Sequence, residues 1–205
     1  MIKLFVFDLG NVILPFEHRQ IATKLHEASR IQDRFTPQEI FKFIFERERG
    51  LVNPYEEGRI TSLEFFGRLR ERYKLDLEIE EFKDIWNTIF WENSEVNEAI
   101  LYLKNKGYPM FLLSDTNEFH FSYITERYPI VHSFDEWILS YEVGAKKPKQ
   151  KIYDTIFEKT DAKPEEVFYI DDIPRYVAAA QSFGLKGMVF RSPKDLWEFI
   201  KENSI

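Results

Sequence analysis

Cysteine is absent from the 205 residues, so neither a disulfide bridge nor a thiolate metal site can form. Long apolar runs are absent too, and no stretch approaches the roughly 20 residues that a membrane-spanning helix needs. The N-terminus lacks the basic region and the small-residue cleavage site of a signal peptide. We therefore expect a cytoplasmic protein that does not interact with membranes.

Positive charge is in deficit, with 28 Lys and Arg residues against 35 Asp and Glu residues and a net charge of −7. A nucleic-acid surface needs clustered Lys and Arg, so this balance argues against a nucleic-acid partner. A small anionic substrate remains compatible, because a local positive site can outweigh the net charge. Hydrophobic residues make up 44% of the chain, enough for a sizeable core, and nothing in the pattern demands more than a monomer.

Short apolar runs alternate with helical periodicity in most of the chain. The predicted strands cover residues 2–8, 108–114, 136–141, 166–171 and 186–190, and from residue 94 onward the later strands are separated by helices. Alternating strands and helices indicate the α/β class, with a parallel sheet and helices on both of its faces.

A helical segment interrupts this alternation between the first two strands. Two capping boxes, Thr36-Pro37-Gln38-Glu39 and Thr61-Ser62-Leu63-Glu64, predict helix starts there. We predict about four helices in residues 16–92, packed as a bundle, and a core formed by residues 1–15 and 93–205. The connection 46–59 contains Arg47, Arg49 and Glu57, which contact a pocket only if this loop points toward the sheet; otherwise it is a solvated charged loop.

Polar groups stand at or near the ends of the predicted strands. Asp8 ends the first apolar run, Ser114 the second, and Asp171 and Asp172 the run that begins at Val167. The carboxyl ends of parallel strands are where open α/β sheets carry their chemistry. Each residue taken alone also has a structural role available, since Asp8 can cap a turn and Asp172 can cap the helix that opens at Pro174.

Four segments together carry a family resemblance: Val6-Phe7-Asp8-Leu9-Gly10-Asn11-Val12, Met110 to Asn117, Gly144-Ala145-Lys146-Lys147-Pro148 and Val167 to Asp172. In this order they resemble the four signature motifs of the haloacid dehalogenase-like (HAD) hydrolase superfamily. The opening Asp-Leu-Gly-Asn-Val is similar to the small sugar-phosphate phosphatases, the glucose-1-phosphatase-like subgroup. The resemblance spans essentially the whole chain and implies a Rossmann-like core whose site is covered by a cap, residues 16–92.

The resemblance implies a Mg²⁺-dependent phosphatase acting on a small phosphorylated metabolite. Asp8 is the predicted nucleophile, which forms an aspartyl-phosphate. The predicted catalytic residues are Asp8, Ser114 and Lys147, and the predicted substrate contacts are Ser114, Asp115, Asn117 and Lys147. Thr116 is the predicted cap of the following helix. Lys147 is chosen over Lys146 because the family's lysine directly precedes its proline.

Hard oxygen ligands and a phosphoryl substrate favour Mg²⁺ at the predicted metal site. Its ligands are predicted among Asp8, Asp171 and Asp172, and the resemblance adds the backbone carbonyl of Gly10. Neither Asp171 nor Asp172 is preferred as the direct ligand on sequence grounds.

Two positions depart from the family pattern. Many HAD phosphatases carry an acid–base aspartate two positions after the nucleophile, where this chain has Gly10. His18, Glu17 and Asp115 are the candidates to replace it, alongside a metal-bound water or the substrate itself. Tyr176 stands where the resembling subgroup often has Asn. Two other functions therefore stay open: a non-catalytic HAD-like binding protein and a 2-haloacid dehalogenase, although the paired acids argue against the dehalogenase.

Overall fold

Five short strands form one parallel sheet at the centre of the molecule. They are β1 (Leu4–Phe7), β2 (Met110–Ser114), β3 (Glu136–Leu139), β4 (Val167–Asp171) and β5 (Lys186–Val189). Their order across the sheet is β3-β2-β1-β4-β5, with every neighbouring pair parallel. β1 is buried along its whole length, as its continuous apolar sequence requires. The computed structural model describes residues 1–205.

The segment between β1 and β2 is helical, as predicted, but contains one more helix than expected. Its α-helices are α1 (Arg19–Glu27), α2 (Pro37–Phe45), α3 (Val52–Glu56), α4 (Ser62–Tyr73) and α5 (Ile79–Asn87), with a 3₁₀ turn at Gln32–Arg34. Both predicted capping boxes form, at the start of α2 and of α4. This segment has its own hydrophobic cluster of 17 buried residues, all of them between Ile21 and Ile89. We call residues 16–92 the cap, as a proposal about their role.

Six further α-helices complete the fold: α6 (Ser94–Asn105), α7 (Glu118–Arg127), α8 (Ser140–Val143), α9 (Gln150–Phe157), α10 (Pro174–Ser182) and α11 (Pro193–Glu202). Alternate side chains of β1 point to opposite faces of the sheet. Phe5 and Phe7 join the cluster that includes α6, α7 and α11, whereas Leu4 and Val6 join the one that includes α9 and α10. Helices thus cover both faces, and the predicted Rossmann-like α/β class is confirmed.

β3 ends at Leu139, two residues earlier than predicted, because α8 begins at Ser140. The Ser140 hydroxyl accepts a hydrogen bond from the Thr116 backbone N–H (2.9 Å) and donates one to the Thr116 carbonyl (3.0 Å). These bonds turn the chain out of the sheet and tie α8 to the loop that follows β2. No helix of the protein combines the length and apolar character needed to cross a bilayer.

The cap joins the core through a narrow connection where the chain enters and leaves it. Phe16 and Phe90 form an antiparallel bridge. Glu17 N donates to Ile89 O (3.2 Å), and Trp91 N donates to Pro15 O (3.0 Å). We call this pair of segments, residues 15–17 and 89–91, the neck.

Candidate active site

The carboxylates of Asp8, Asp171 and Asp172 converge at the carboxyl edge of the sheet. Their nearest oxygens all lie within 4.8 Å of one another. Asp8 directly follows β1 and Asp171 ends β4, and these strands are parallel neighbours. The Asp8 backbone N–H donates to Ile170 O (2.8 Å), which extends the strand pairing to the aspartate itself. The predicted convergence of these acids is therefore present.

Lys147 reaches the same cluster from the loop between α8 and α9. Its Nζ lies 2.7 Å from Asp8 Oδ1 and 2.8 Å from Asp171 Oδ2, and the residue is only 4% exposed. The Lys147 backbone N–H donates to Asp115 Oδ1 (2.9 Å), so the loop after β2 holds the lysine in place. Burial alone would lower the pKa of Lys147, but the attraction of Asp8, Tyr169 and Asp171 outweighs it and raises the pKa well above its usual value.

Asp171 is fully buried and its two carboxylate oxygens are already engaged. Oδ1 accepts a hydrogen bond from the Ile173 backbone N–H (2.8 Å), and Oδ2 accepts from Lys147 and from the Tyr169 hydroxyl. Asp172 differs, because it is only half-buried and lines the pocket above the sheet. The two acids therefore have different surroundings: Asp171 is held by protein donors, and Asp172 faces the pocket.

One lysine cannot neutralise the three carboxylates of the acid cluster. Burial raises the pKa of Asp8 well above its usual value; Lys147 opposes this shift, whereas Asp171 and Asp172 add to it. Burial and the Asp171 charge likewise raise the pKa of Asp172. Three hard carboxylates around one lysine match the donor set of a divalent cation such as Mg²⁺. The residues present therefore fit the predicted metal.

Gly10 lies beside an aromatic ring that fills the place of the missing acid. A Cβ at position 10 would lie 2.6 Å from Phe16 Cε1, closer than real Cβ contacts come. Phe16 in turn packs against His18, with ring centroids 4.5 Å apart. An aspartate at position 10 is thus excluded unless the Phe16 ring moves.

A pocket of about 880 Å³ opens above the cluster, between the sheet edge and the cap. Of the predicted residues, those that line it are Asp8, Gly10, His18, Arg47, Glu57, Asp115, Lys147, Asp172 and Tyr176. Arg49 and Glu17 are not among the lining residues, and the Glu17 carboxylate instead accepts from the Arg19 backbone N–H (2.8 Å). The connection 46–59 therefore does point toward the sheet.

Asn117 does not contact the pocket, contrary to its predicted role in substrate binding. It is fully buried, and it rather than Thr116 caps α7, its Oδ1 accepting from His120 N (3.1 Å). Its Oδ1 also accepts from Trp86 Nε1 (3.2 Å), and its Nδ2 donates to His120 Nδ1 (3.0 Å). The Asn117 amide thus links α5 of the cap to α7 of the core. Ser114, the last residue of β2, is 2% exposed and does not line the pocket either, so its role in holding phosphate stays a prediction.

Several charged residues that line the pocket were not singled out from the sequence, among them Lys146, Lys149 and Arg175. Lys146 forms a salt bridge with Glu56 and donates to Asn53 Oδ1 (3.0 Å), both on α3. Lys149 lies 2.6 Å from Glu57, which also pairs with Arg59 (2.9 Å). Arg175 lies over the Tyr176 ring and donates to its hydroxyl (2.7 Å). The Lys146–Glu56 pair joins the loop between α8 and α9 to the cap. Its two residues are 90 positions apart, so the sequence shows only two separate charged residues.

The chain is similar to known hydrolases and phosphatases. A family model described as haloacid dehalogenase-like hydrolase matches residues 2–184. D-ribitol-5-phosphate phosphatase of Bacteroides thetaiotaomicron is 30% identical over 179 residues, covering 84% of both chains. A phosphorylated carbohydrates phosphatase of Thermotoga maritima is 28% identical over 107 residues, covering 52% of this chain and 50% of that protein.

Among solved structures, a HAD family enzyme from Bacteroides thetaiotaomicron, crystallised with magnesium and inorganic phosphate, superposes with a TM-score of 0.81. The two chains are 25% identical, and the match covers 93% of this chain and 95% of that one. The family match spans most of the chain, including Asp8, Lys147 and both acids at the end of β4. The chain belongs to the haloacid dehalogenase-like hydrolase family.

Proposed function

We propose that this protein is a Mg²⁺-dependent phosphatase that hydrolyses a small sugar or sugar-alcohol phosphate through an aspartyl-phosphate on Asp8. One observation carries the proposal: Asp8 Oδ1 lies 2.7 Å from a buried lysine, within a cluster of three carboxylates that opens into a pocket. A carboxylate nucleophile, a cation beside it and a site for a second cation are what attack on a phosphate dianion requires.

The metal would be held by Asp8, Asp172 and the Gly10 carbonyl. Asp172 is chosen over Asp171 because both oxygens of Asp171 already accept hydrogen bonds from the protein. When bound, the cation supplies positive charge that neutralises the phosphate and the neighbouring carboxylates. Asp171 then acts on Lys147, which it holds at 2.8 Å.

Asp8 attacks through a carboxylate oxygen while Lys147 donates a hydrogen bond to its Oδ1 (2.7 Å). Asp8 Oδ2 accepts no hydrogen bond from the protein, so one oxygen is free to bond to phosphorus. A bond forms between that oxygen and phosphorus, and the bond between phosphorus and the leaving oxygen breaks. Water then attacks the phosphorus of the aspartyl-phosphate, which releases inorganic phosphate and regenerates Asp8.

Proton transfer to the leaving oxygen is assigned to Asp115. Among the three candidates, Glu17 does not line the pocket, and burial lowers the pKa of His18 to about 4, which leaves its imidazole neutral at pH 7. Burial raises the pKa of Asp115 to about 6, with Lys147 opposing the shift. A carboxyl group that titrates near neutral pH can donate a proton to the leaving group and later accept one from water.

The substrate class rests on the pocket and on the relatives. The pocket is polar, with 5 hydrophobic residues among the 22 that line it. Within it, Glu56 neutralises the charge of Lys146, and Glu57 neutralises the charge of Lys149. Two relatives are named for ribitol phosphate and phosphorylated carbohydrates. A polyhydroxylated phosphomonoester fits both observations.

The test is Mg²⁺-dependent hydrolysis of p-nitrophenyl phosphate and of a panel of sugar and sugar-alcohol phosphates, with Asp8→Asn measured alongside. We expect turnover that is lost in the variant and on chelation of the metal. Absence of turnover on every phosphomonoester, with Mg²⁺ still raising the melting temperature, would support the binding-protein alternative instead. Metal-independent halide release from a 2-haloacid would support the dehalogenase.

A further inference from the structure

We propose that His18 is a specificity-determining residue whose imidazole hydrogen-bonds a hydroxyl on the body of the substrate, away from the scissile bond. The inference rests on the proposed phosphatase function and concerns the recognition of hydroxylated phosphate esters over plain alkyl phosphates. It follows from the position of His18 in the pocket, its hydrogen bonding and its aromatic surroundings.

His18 is the one histidine whose ring forms no hydrogen bond within the protein. His120 uses both ring nitrogens, with Asn117 and with the Trp86 carbonyl, and His26 and His132 each contact a backbone carbonyl. His18 lines the pocket, and neither of its nitrogens is both buried and unpartnered. Each ring nitrogen therefore keeps some exposed surface on a residue that lines the pocket.

Aromatic rings fix the orientation of this imidazole. The Phe45 ring stacks on it at 4.4 Å with an interplanar angle of 12°, and the Phe16 ring lies 4.5 Å away. His120 continues the stack at 6.3 Å. A polar group held rigidly before a ligand arrives loses little entropy on binding, which suits a residue that selects substrates.

A hydroxyl-binding role suits His18 better than proton transfer does. The Phe16 ring, which would overlap a Cβ at position 10, lies against the His18 ring, with centroids 4.5 Å apart. Burial also lowers the pKa of His18 to about 4, so that the ring is neutral at pH 7. A neutral imidazole offers one donor and one acceptor, the pair that a hydroxyl group complements.

The test compares two five-carbon phosphomonoesters, ribitol 5-phosphate and pentyl phosphate, which differ in their hydroxyl groups. For the wild-type protein, His18→Phe and His18→Gln, kcat/KM is measured on both substrates. Phenylalanine keeps the aromatic stack and removes the hydrogen bond, whereas glutamine keeps a donor and an acceptor. His132→Phe is the matched control, because His132 is exposed and does not line the pocket.

We expect His18→Phe to lower the preference for ribitol 5-phosphate over pentyl phosphate about 3- to 10-fold, the range of one neutral hydrogen bond. The change should lie mainly in KM, because contact with the substrate body is present in the ground state and the transition state alike. His18→Gln should retain part of the preference, and His132→Phe should retain all of it.

If His18→Phe left the ratio of kcat/KM for the two substrates unchanged, whether or not both values fell, the inference would be overturned while the phosphatase function stayed intact. A preference lost equally in His132→Phe would overturn it as well, since the effect would then not belong to the pocket. A wild-type protein that hydrolyses no phosphomonoester would overturn the proposed function itself, and this inference with it.

Discussion

The contact between Gly10 and Phe16 shows how one residue can determine which chemistry a site lacks. Any side chain at position 10 must displace a ring that also forms part of the pocket wall and of the neck. The packing therefore favours glycine at this position, because a Cβ would overlap the Phe16 ring. Proton transfer then has to come from another group, which we propose to be Asp115.

Gly10→Ala should lower the free energy of unfolding by about 1–3 kcal/mol, since the new methyl group overlaps Phe16. Gly67→Ala is the matched control, because Gly67 is exposed within α4 and has no atom within 4 Å of its Cβ position. This control should stabilise the protein by about 0.5–1 kcal/mol through helix propensity. Urea denaturation measures both, and effects of the same sign would contradict the packing argument.

Asp115→Asn should slow hydrolysis of alkyl phosphates about 100-fold if Asp115 protonates the leaving oxygen. Hydrolysis of p-nitrophenyl phosphate should fall much less, because p-nitrophenolate leaves without protonation. The exposed Asp154→Asn is the control and should change neither rate. Equal losses on both kinds of substrate would show that Asp115 binds the phosphate rather than transfers the proton.

Sequence reasoning located the residues of the acid cluster because each follows from a local pattern. An apolar run that ends in an acid places Asp8 and Asp171 at strand ends, and parallel strands bring those ends together. The same reasoning failed for Asn117, since a polar residue after a strand can either face the pocket or cap the next helix. Its partner Trp86 lies 31 residues earlier, and no local pattern connects them.

At the scale of secondary-structure elements, the junction of α5 and α7 depends on one buried amide. Asn117 accepts from His120 N and Trp86 Nε1 and donates to His120 Nδ1. Trp86 and His120 also stack, with ring centroids 4.9 Å apart. The start of α7 and the packing of the cap on the core are therefore linked through the same side chain.

Asn117→Ala should cost about 2–4 kcal/mol, the sum of a lost helix cap and an unpaired buried indole N–H. Ser192→Ala is the control, because Ser192 caps α11 with a single side-chain bond to Asp195 N (3.2 Å) and should cost about 1 kcal/mol. Urea denaturation of both variants decides the matter. Similar losses would mean that Asn117 acts only as a cap.

α3, like α8, is a helix that the sequence did not reveal, and its composition explains why. It has five residues with Pro54 inside it, and its N-cap residue Leu51 makes no side-chain capping bond. Helices this short are not stable alone, and α3 is held by contacts with the core such as Lys146–Glu56. Long amphipathic helices with capping boxes, such as α2 and α4, carry their signal locally and were predicted.

Across the whole molecule, the interface between cap and core contains one buried histidine, His120, and one partly buried histidine, His18, whose charged forms are both disfavoured. Burial lowers the pKa of His120 to about 3 and that of His18 to about 4. Both rings regain a pKa near 6.5 when the chain unfolds. Between these values the unfolded chain binds more protons than the folded one, so the histidines' contribution to stability is complete above pH 6.5 and declines as pH falls.

His120→Gln should therefore reduce the pH dependence of stability below pH 6.5. The wild-type protein should lose more stability than the variant as the pH falls below 6.5, and the difference in slope should approach about 1.4 kcal/mol per pH unit near pH 5. His132→Gln, at an exposed site, should follow the wild-type slope. Urea denaturation at several pH values measures the slopes, and parallel curves for the wild-type protein and His120→Gln would contradict the assignment.

The neck brings together the two ends of the helical segment that separates β1 from β2. β1 must pair with β2 across the whole helical segment, yet Phe16 and Phe90 bring the two ends of that segment together. The entropy of closing a loop grows only with the logarithm of its length, about 0.6 kcal/mol per doubling. A segment of different length could therefore be accommodated between the same two strands at small cost, while the aspartates and the lysine stay in place.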